Sequence, residues 1–123
     1  MPLIVVQYKA GDQGLKRIAQ KLANKLPGIA AAALTVGNEK SNGLVTPDDI
    51  EVWCNEGSPA DVNTKDLEIV IWAHQFEERM ANLEERKDTI LNYVRTFLTT
   101  FHGHRKLTGW VWILLQPTAF GQI

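Results

Sequence analysis

Met1-Pro2-Leu3-Ile4-Val5-Val6 decides how this chain folds, because it opens an apolar strand with a proline directly behind the first methionine. From Pro2 to Tyr8 the chain is rich in β-branched residues and apolar on both faces, a pattern typical of a strand covered on both sides. Proline is also common after Met and is tolerated at the first residue of a strand. If Met1 is removed, Pro2 presents a secondary amine whose pKa is lowered by burial, and it becomes a candidate general base.

Composition limits the classes of function. With 123 residues and 45% apolar side chains, the chain is expected to form a single domain over residues 1–123. Thirteen basic and fourteen acidic residues leave a net charge of -1, so no nucleic-acid or anionic-membrane partner is expected. The single Cys54 cannot form an internal disulfide, and no signal segment or membrane-length apolar run is found. We expect a cytoplasmic protein.

The first half of the chain, about residues 1–57, has the order strand, helix, strand. Asp12 is a plausible N-cap, and apolar residues then recur at helical spacing, at Leu15, Ile18, Ala19, Leu22 and Leu26. Pro27-Gly28 is expected to stop this helix, although the alanine-rich stretch from Ile29 to Val36 is also compatible with its extension. The segment Asp49–Cys54 then alternates polar with apolar residues, as a half-exposed strand does.

The second half, about residues 66–123, repeats that order. Leu67–His74 is an apolar strand, and Asn82 with Glu85 three residues later resembles a helix cap with its reciprocal acid. The helix should end at Gly103, and Trp110–Leu115 is the fourth strand.

Both halves together predict an α/β (α+β) fold. A crossover helix makes the two strands of each half parallel, which gives a four-stranded sheet with two helices on one face. The strands around Leu3–Val6 and Ile69–Trp72 are apolar on both sides, so the second face of the sheet also needs cover. We expect an oligomer that packs sheet against sheet.

Several features together carry a resemblance to a known family: Pro2, the doubled strand-helix-strand, Pro47–Val52, Asn82–Arg86 and the ending Gln116–Phe120. In these the chain resembles the tautomerase superfamily, especially longer members such as 5-carboxymethyl-2-hydroxymuconate isomerase and the macrophage migration inhibitory factor group. The resemblance implies a homotrimer with sheets around a central barrel. It also implies keto-enol or double-bond isomerisation of a small unsaturated or aromatic keto acid, with Pro2 as general base and acid.

Two departures from the family keep a second hypothesis open. Small tautomerases hold substrate carboxylates with arginines where this chain has Asp12 and Glu51. The alternative is therefore a non-catalytic trimeric structural or binding module of the same fold.

Arg79 and His74 are the candidate polar residues of the substrate site. Arg79 follows the third strand in the turn from His74 to Ala81, where a guanidinium group can hold a carboxylate or an enolate through two donors. The alternative is a solvated loop arginine beside Glu77 and Glu78. His74 is placed to assist, although a lone histidine at the end of a strand is more often simply hydrogen-bonded.

Trp112 and Phe120, with Trp53 and Trp110, are candidates for an apolar wall around Pro2, which would shape a site and depress the pKa of the amine. Core packing explains the same residues equally well. Alternation places Trp110 and Trp112 on the same face of their strand.

No cofactor or metal is expected. His102 and His104 have a spacing sometimes found in metal sites, but no carboxylate or cysteine cluster accompanies them. Cys54 is interpreted as a buried structural thiol, and Gly11–Gly14 has too few glycines for a dinucleotide-binding loop.

Overall fold

The computed structural model describes residues 2–35, 45–102, 106–117, 119, 121 and 123, without the side chains of residues 101 and 102. Two strand-helix-strand units follow one another. The first consists of β1 (Leu3–Tyr8), α1 (Gln13–Leu34) and β2 (Glu51–Glu56). The second consists of β3 (Leu67–His74), the short α2 (Glu77–Ala81), α3 (Leu83–His102) and β4 (Gly109–Gln116).

The four strands form one sheet in the order β2-β1-β3-β4. The strands within each unit are parallel, whereas β1 and β3 pair antiparallel at the centre, with Leu3 opposite Trp72. This confirms the predicted four-stranded sheet with a parallel pair in each half. It also puts one edge strand from each unit, β2 and β4, at the outside.

The course of α1 differs from one of the expectations. Asp12 caps the helix as predicted, since its Oδ1 accepts the Leu15 N–H at 3.0 Å. The helix does not stop at Pro27, however, but continues to Leu34. A proline inside a helix removes a hydrogen bond and costs about 3 kcal/mol. Burial of the residues on either side offsets that cost, namely Leu26, Ala30, Ala31, Ala33 and Leu34.

Other boundaries lie close to the predicted ones. The third strand coincides with the prediction, and β4 extends one residue beyond it at each end. β2 begins two residues later than expected, because Pro47–Asp49 forms a 3-10 turn instead. The Asp49 Oδ2 closes that turn by accepting the N–H and the hydroxyl of Thr46, each at 2.9 Å.

β3 and β4 are locked together in a similar way at their starts. The Asp66 Oδ2 accepts the N–H of Thr108 at 3.0 Å and its hydroxyl at 3.2 Å, across 42 residues of chain. The next residue, Gly109, has no room for a side chain, since a Cβ there would lie 2.5 Å from the Leu67 carbonyl oxygen.

Alternate residues of the strands divide between two faces. The helix face packs against α1 and α3 and includes the buried core residues Ile4, Val6, Leu67, Ile69, Ile71 and Ala73. The open face carries Leu3, Val5, Trp53, Val70, Trp72, Trp110, Trp112 and Leu114, which are half-buried or exposed. Both helices thus cover the same face, as predicted, and the other face is apolar without cover from the described residues.

None of the described helices combines the length and the apolar character needed to cross a membrane.

Candidate active site

One end of the sheet, where strands begin or finish, brings several predicted site residues together. β1 and β2 start there, with Leu3 opposite Glu51, and β3 and β4 end there, with His74 opposite Gln116. We call this end of the strands the Pro2 edge. α1 ends at the same edge because it runs back from the far end of β1. Pro2, His74 and Arg79, which are far apart in the sequence, therefore lie at one side of the molecule.

Pro2 lies directly before β1 and is buried. Its carbonyl oxygen accepts the N–H of Glu51 at 3.3 Å, so the residue is fixed against the start of β2. On the other side, the pairing of Leu3 with Trp72 places it beside the last residues of β3. Pro2 is thus buried and held to the start of β2 by one main-chain hydrogen bond. Its predicted role as a base stays a prediction.

His74 is half-buried at the end of β3. Its ring meets the ring of Phe76 edge to face, with centroids 4.7 Å apart. Its carbonyl oxygen accepts a hydrogen bond from Arg79 Nη1 at 2.8 Å. The residue therefore contributes to the packing of the Pro2 edge, and its predicted role toward a substrate stays a prediction.

Arg79 is neither in a turn nor solvated. It lies in α2 and is only 2% exposed, so the solvated-loop interpretation is wrong. Its Nε donates to the Leu34 carbonyl at 2.8 Å, in addition to the bond from Nη1 to His74, and its guanidinium lies 4.8 Å from the Phe76 ring centroid. Two of its three nitrogens are thus committed to main-chain oxygens. Binding of a carboxylate by Arg79 stays a prediction.

Arg86 is a second arginine at this edge, and sequence reasoning missed its role. Its Nη1 donates to the carbonyl oxygens of Ala33 at 2.7 Å and Thr35 at 3.1 Å, while its Nε donates to Asn82 Oδ1 at 2.7 Å. The Asn82 side chain, expected to cap α3, thus orients Arg86 instead. The four-residue spacing of Asn82 and Arg86 on one helix face was the available signal.

Arg79 and Arg86 together hold the end of α1, and we call them the arginine clasp. They satisfy the carbonyl oxygens of three consecutive residues, Ala33, Leu34 and Thr35, which a helix end leaves without intrahelical partners. Burial, and secondarily the charge of Arg86, lower the pKa of Arg79. The negative end of the helix dipole helps to accommodate two like charges there.

The aromatic candidates are not gathered around Pro2 within one chain. Trp112 pairs with Val70, which pairs with Val5, so it lies about 10 Å along the strands and about 10 Å across them from Pro2. Trp112 projects from the open face and is 47% exposed, and its ring centroid lies 5.9 Å from that of Trp110. The expectation that these two share a face is confirmed. Phe120 lies outside the described residues.

Asp12 and Glu51, the two acids that the sequence analysis singled out, have different surroundings. Asp12 is occupied as the N-cap of α1, at the far edge from Pro2. Glu51 is exposed at the Pro2 edge, and its position opposite Leu3 places it on the open face. An acidic group therefore lies next to Pro2 in the chain itself.

Cys54 is half-buried on β2, and burial raises the pKa of its thiol. A raised pKa disfavours the thiolate, so the residue has the character of a structural thiol. Within the described part of the chain no group of three or more His, Cys, Asp and Glu side chains is arranged to hold a metal ion. His104 lies outside that part.

Comparison with solved structures gives the fold a family name. Pt0534 inactivated by 2-oxo-3-pentynoate matches 98% of this chain and 90% of its own, with 13% identity and a TM-score of 0.59. The fused 4-OT symmetric trimer matches over 94% and 87%, with 16% identity and a TM-score of 0.51. The MIF2 of Leishmania major matches over 98% and 93%, with 10% identity and a TM-score of 0.54.

These proteins belong to the tautomerase superfamily, and the chain therefore has a tautomerase-like fold, as the sequence resemblance predicted. Neither a protein-family model nor a curated protein sequence matches it.

Proposed function

We propose that this chain is a tautomerase or isomerase that uses Pro2 as its general base and acid. The observation that carries the proposal is the burial of Pro2 at the head of β1, at the Pro2 edge of a tautomerase-like fold. Removal of Met1 frees a secondary amine at this position. Burial disfavours its charged form and lowers its pKa below the value of about 8 of an exposed α-amine.

The reaction is a proton transfer between two positions of one substrate. The neutral amine removes a proton from a carbon or an enol oxygen next to a carbonyl group, and its conjugate acid returns the proton elsewhere on the conjugated system. The substrate we propose is a small unsaturated or aromatic keto acid. The inactivation of Pt0534 by 2-oxo-3-pentynoate, an unsaturated keto acid, supports this choice.

Arg79 is our proposed cation for the substrate carboxylate, with a restricted geometry. The single N–H of Arg79 Nε already binds the Leu34 carbonyl, so the Nε–Nη2 pair is not available for a bidentate contact. Nη1 gives one of its two N–H groups to the His74 carbonyl and keeps the other, so we expect a carboxylate to contact Arg79 end-on, through Nη1 and Nη2. His74, Trp112 and Phe120 remain the other proposed contacts.

We also propose a homotrimer formed through the open face. Trp53 is 56% and Trp112 47% exposed, and with Val5 and Val70 they form one row across all four strands. Apolar surface of this kind is usually buried in an interface. The fused 4-OT trimer supports three-fold assembly of this fold, and Trp112 would then reach a Pro2 site from a neighbouring copy.

The test compares protein with and without Met1 in the ketonisation of phenylenolpyruvate. Processed protein should be active, and Pro2→Ala should lower kcat/KM by about 100-fold or more, the usual contribution of a general base. Incubation with 2-oxo-3-pentynoate should also add its full mass to the amino-terminal peptide, because the amine adds across the conjugated triple bond. Equal rates with and without Met1 would exclude the Pro2 nitrogen as the base.

The non-catalytic trimeric module is the second candidate, and the arginine clasp favours it. Both arginines donate to the end of α1. The sequence resemblance also implies acids, Asp12 and Glu51, where small tautomerases have substrate-binding arginines. A processed trimer that neither ketonises enols nor reacts with 2-oxo-3-pentynoate would support this candidate.

A further inference from the structure

A cavity lies at the other end of the strands, opposite the Pro2 edge. It has a volume of about 350 Å³, which is within the range of small-ligand pockets. Its walls are the start of β3, the start of β4 with the residues before it, and the second half of α3. Most of the lining is aliphatic: Leu67, Ile69, Leu91, Val94, Leu98, Leu107 and Val111.

The packing around this cavity explains why it is open. Ile69 and Val94 of its lining are buried, whereas Leu91 and Leu98 of α3 remain half-buried. Gly109 lies in the wall and has no side chain to fill it, because a Cβ would collide with the Leu67 carbonyl. The bonds from Thr108 to Asp66 hold this wall in place.

Charge is distributed unevenly over the cavity. Its lining contains two cations, Lys65 and Arg95, and no carboxylate. Neither cation forms an ion pair with a described residue. The ion pairs among the described residues are those of Lys87 with Glu84 and Asp88. The acid next to Lys65 in the sequence, Asp66, already accepts hydrogen bonds from Thr108. The cavity thus combines an apolar interior with a positive lining.

We propose that this cavity binds a monoanionic carboxylate with a compact apolar body, such as an aryl carboxylate. The body would occupy the space between α3 and the sheet, and its burial would supply most of the affinity. The carboxylate would contact Arg95 and Lys65, of which Arg95 offers the paired donors that suit a carboxylate. The site is separate from the Pro2 edge and does not depend on the function proposed there.

Titration with 2-naphthoate and its neutral isostere 2-naphthamide tests the proposal, with calorimetry for the affinity and amide NMR shifts for the location. We expect naphthoate to bind and to shift the amide resonances of Ile69, Gly109 and Val111, rather than those of Leu3 or His74. Arg95→Gln should weaken naphthoate about tenfold, the value of a charge-assisted hydrogen bond, and Lys65→Gln should act in the same direction. Binding of naphthamide should change little in either variant.

Arg17→Gln is the matched control, since it removes an exposed arginine from α1. It should leave the affinity for naphthoate unchanged. The proposal is overturned if wild-type protein binds neither compound, if Arg95→Gln and Arg17→Gln have equal effects, or if the shifts cluster at the Pro2 edge.

Discussion

The two strand-helix-strand units have the same topology but differ in how completely they are packed. In the first unit α1 buries nine residues, among them Leu15, Ile18 and Leu22. In the second unit Ile90 and Val94 are the buried residues among the described side chains of α3. A common backbone arrangement therefore does not guarantee an equal core.

The difference shows where this chain leaves apolar surface available. The end of α1 is closed by the arginine clasp, which the second unit supplies. The second unit has no such closure among the described residues: a cavity lies between α3 and the start of β4, and Trp110, Trp112 and Leu114 are exposed on the other side of that strand. Binding of a ligand and association of subunits are both expected around β4.

A pair of leucine truncations tests this comparison most strongly. Leu22→Ala in α1 removes a fully buried side chain and should lower the free energy of unfolding by about 3–4 kcal/mol. Leu98→Ala in α3 removes a half-buried side chain beside an existing cavity and should cost only about 1–2 kcal/mol. Urea denaturation measures both values. Equal losses would show that the two helices are packed alike.

The arginine clasp gives the second largest expected effect. Arg79→Ala leaves the carbonyls of Leu34 and His74 without their donor, and we expect a loss of about 3 kcal/mol. Arg17→Ala, on the exposed face of α1, should change stability by no more than about 0.5 kcal/mol. Thermal and urea unfolding compare the two. If Arg79→Ala is as stable as wild type but raises KM for carboxylated substrates, the clasp is unimportant and the substrate role holds.

Periodicity and chain order were sufficient to predict the sheet, both crossover helices and the exposed face, because the apolar residues of each element repeat at the spacing of its own structure. The start of α1 at Asp12 was likewise a local signal. Its end was not, since continuation through Pro27 depends on burial of Ala30 and Leu34 against the rest of the fold. A local rule cannot take that into account.

For the candidate site, the topology predicts which residues lie at one end of the sheet, but not their hydrogen bonds. Strand order brings Pro2, His74 and Arg79 to one edge, and the sequence suggested all three. The hydrogen bonds of Arg79 could not be predicted, because its acceptor Leu34 lies 45 residues away in the other unit. Within one chain Trp112 lies far from Pro2 because the pairing with Val70 fixes it in the middle of β4.

Trp112→Ser tests whether the exposed side of the second unit is an interface. We expect smaller oligomers and a weaker association, since a tryptophan at the centre of an interface typically contributes about 2 kcal/mol or more. Val62→Ser is the control, because Val62 is also apolar and is 78% exposed but lies outside the sheet. Light scattering over a range of concentrations distinguishes them. A wild-type monomer at micromolar concentration, or equal behaviour of both variants, would contradict the trimer.

The smallest effect is expected from the aspartate that closes the start of β2 in the first unit. The hydrogen bonds from the N–H and hydroxyl of Thr46 hold the pKa of Asp49 below its ordinary value. A carboxyl group with a lowered pKa stabilises the fold above the pKa of the unfolded chain, about 3.9, and loses that contribution as pH falls through its folded value.

Asp49→Asn should therefore unfold at a lower temperature than wild type at pH 7, and the difference should shrink below pH 4. Asp48→Asn removes the same charge one residue earlier without touching the bonds to Thr46, and it is the matched control. A deficit of Asp49→Asn that stays constant from pH 7 to pH 2.5 would mean that the geometry of the turn, rather than the charge of Asp49, fixes the start of β2.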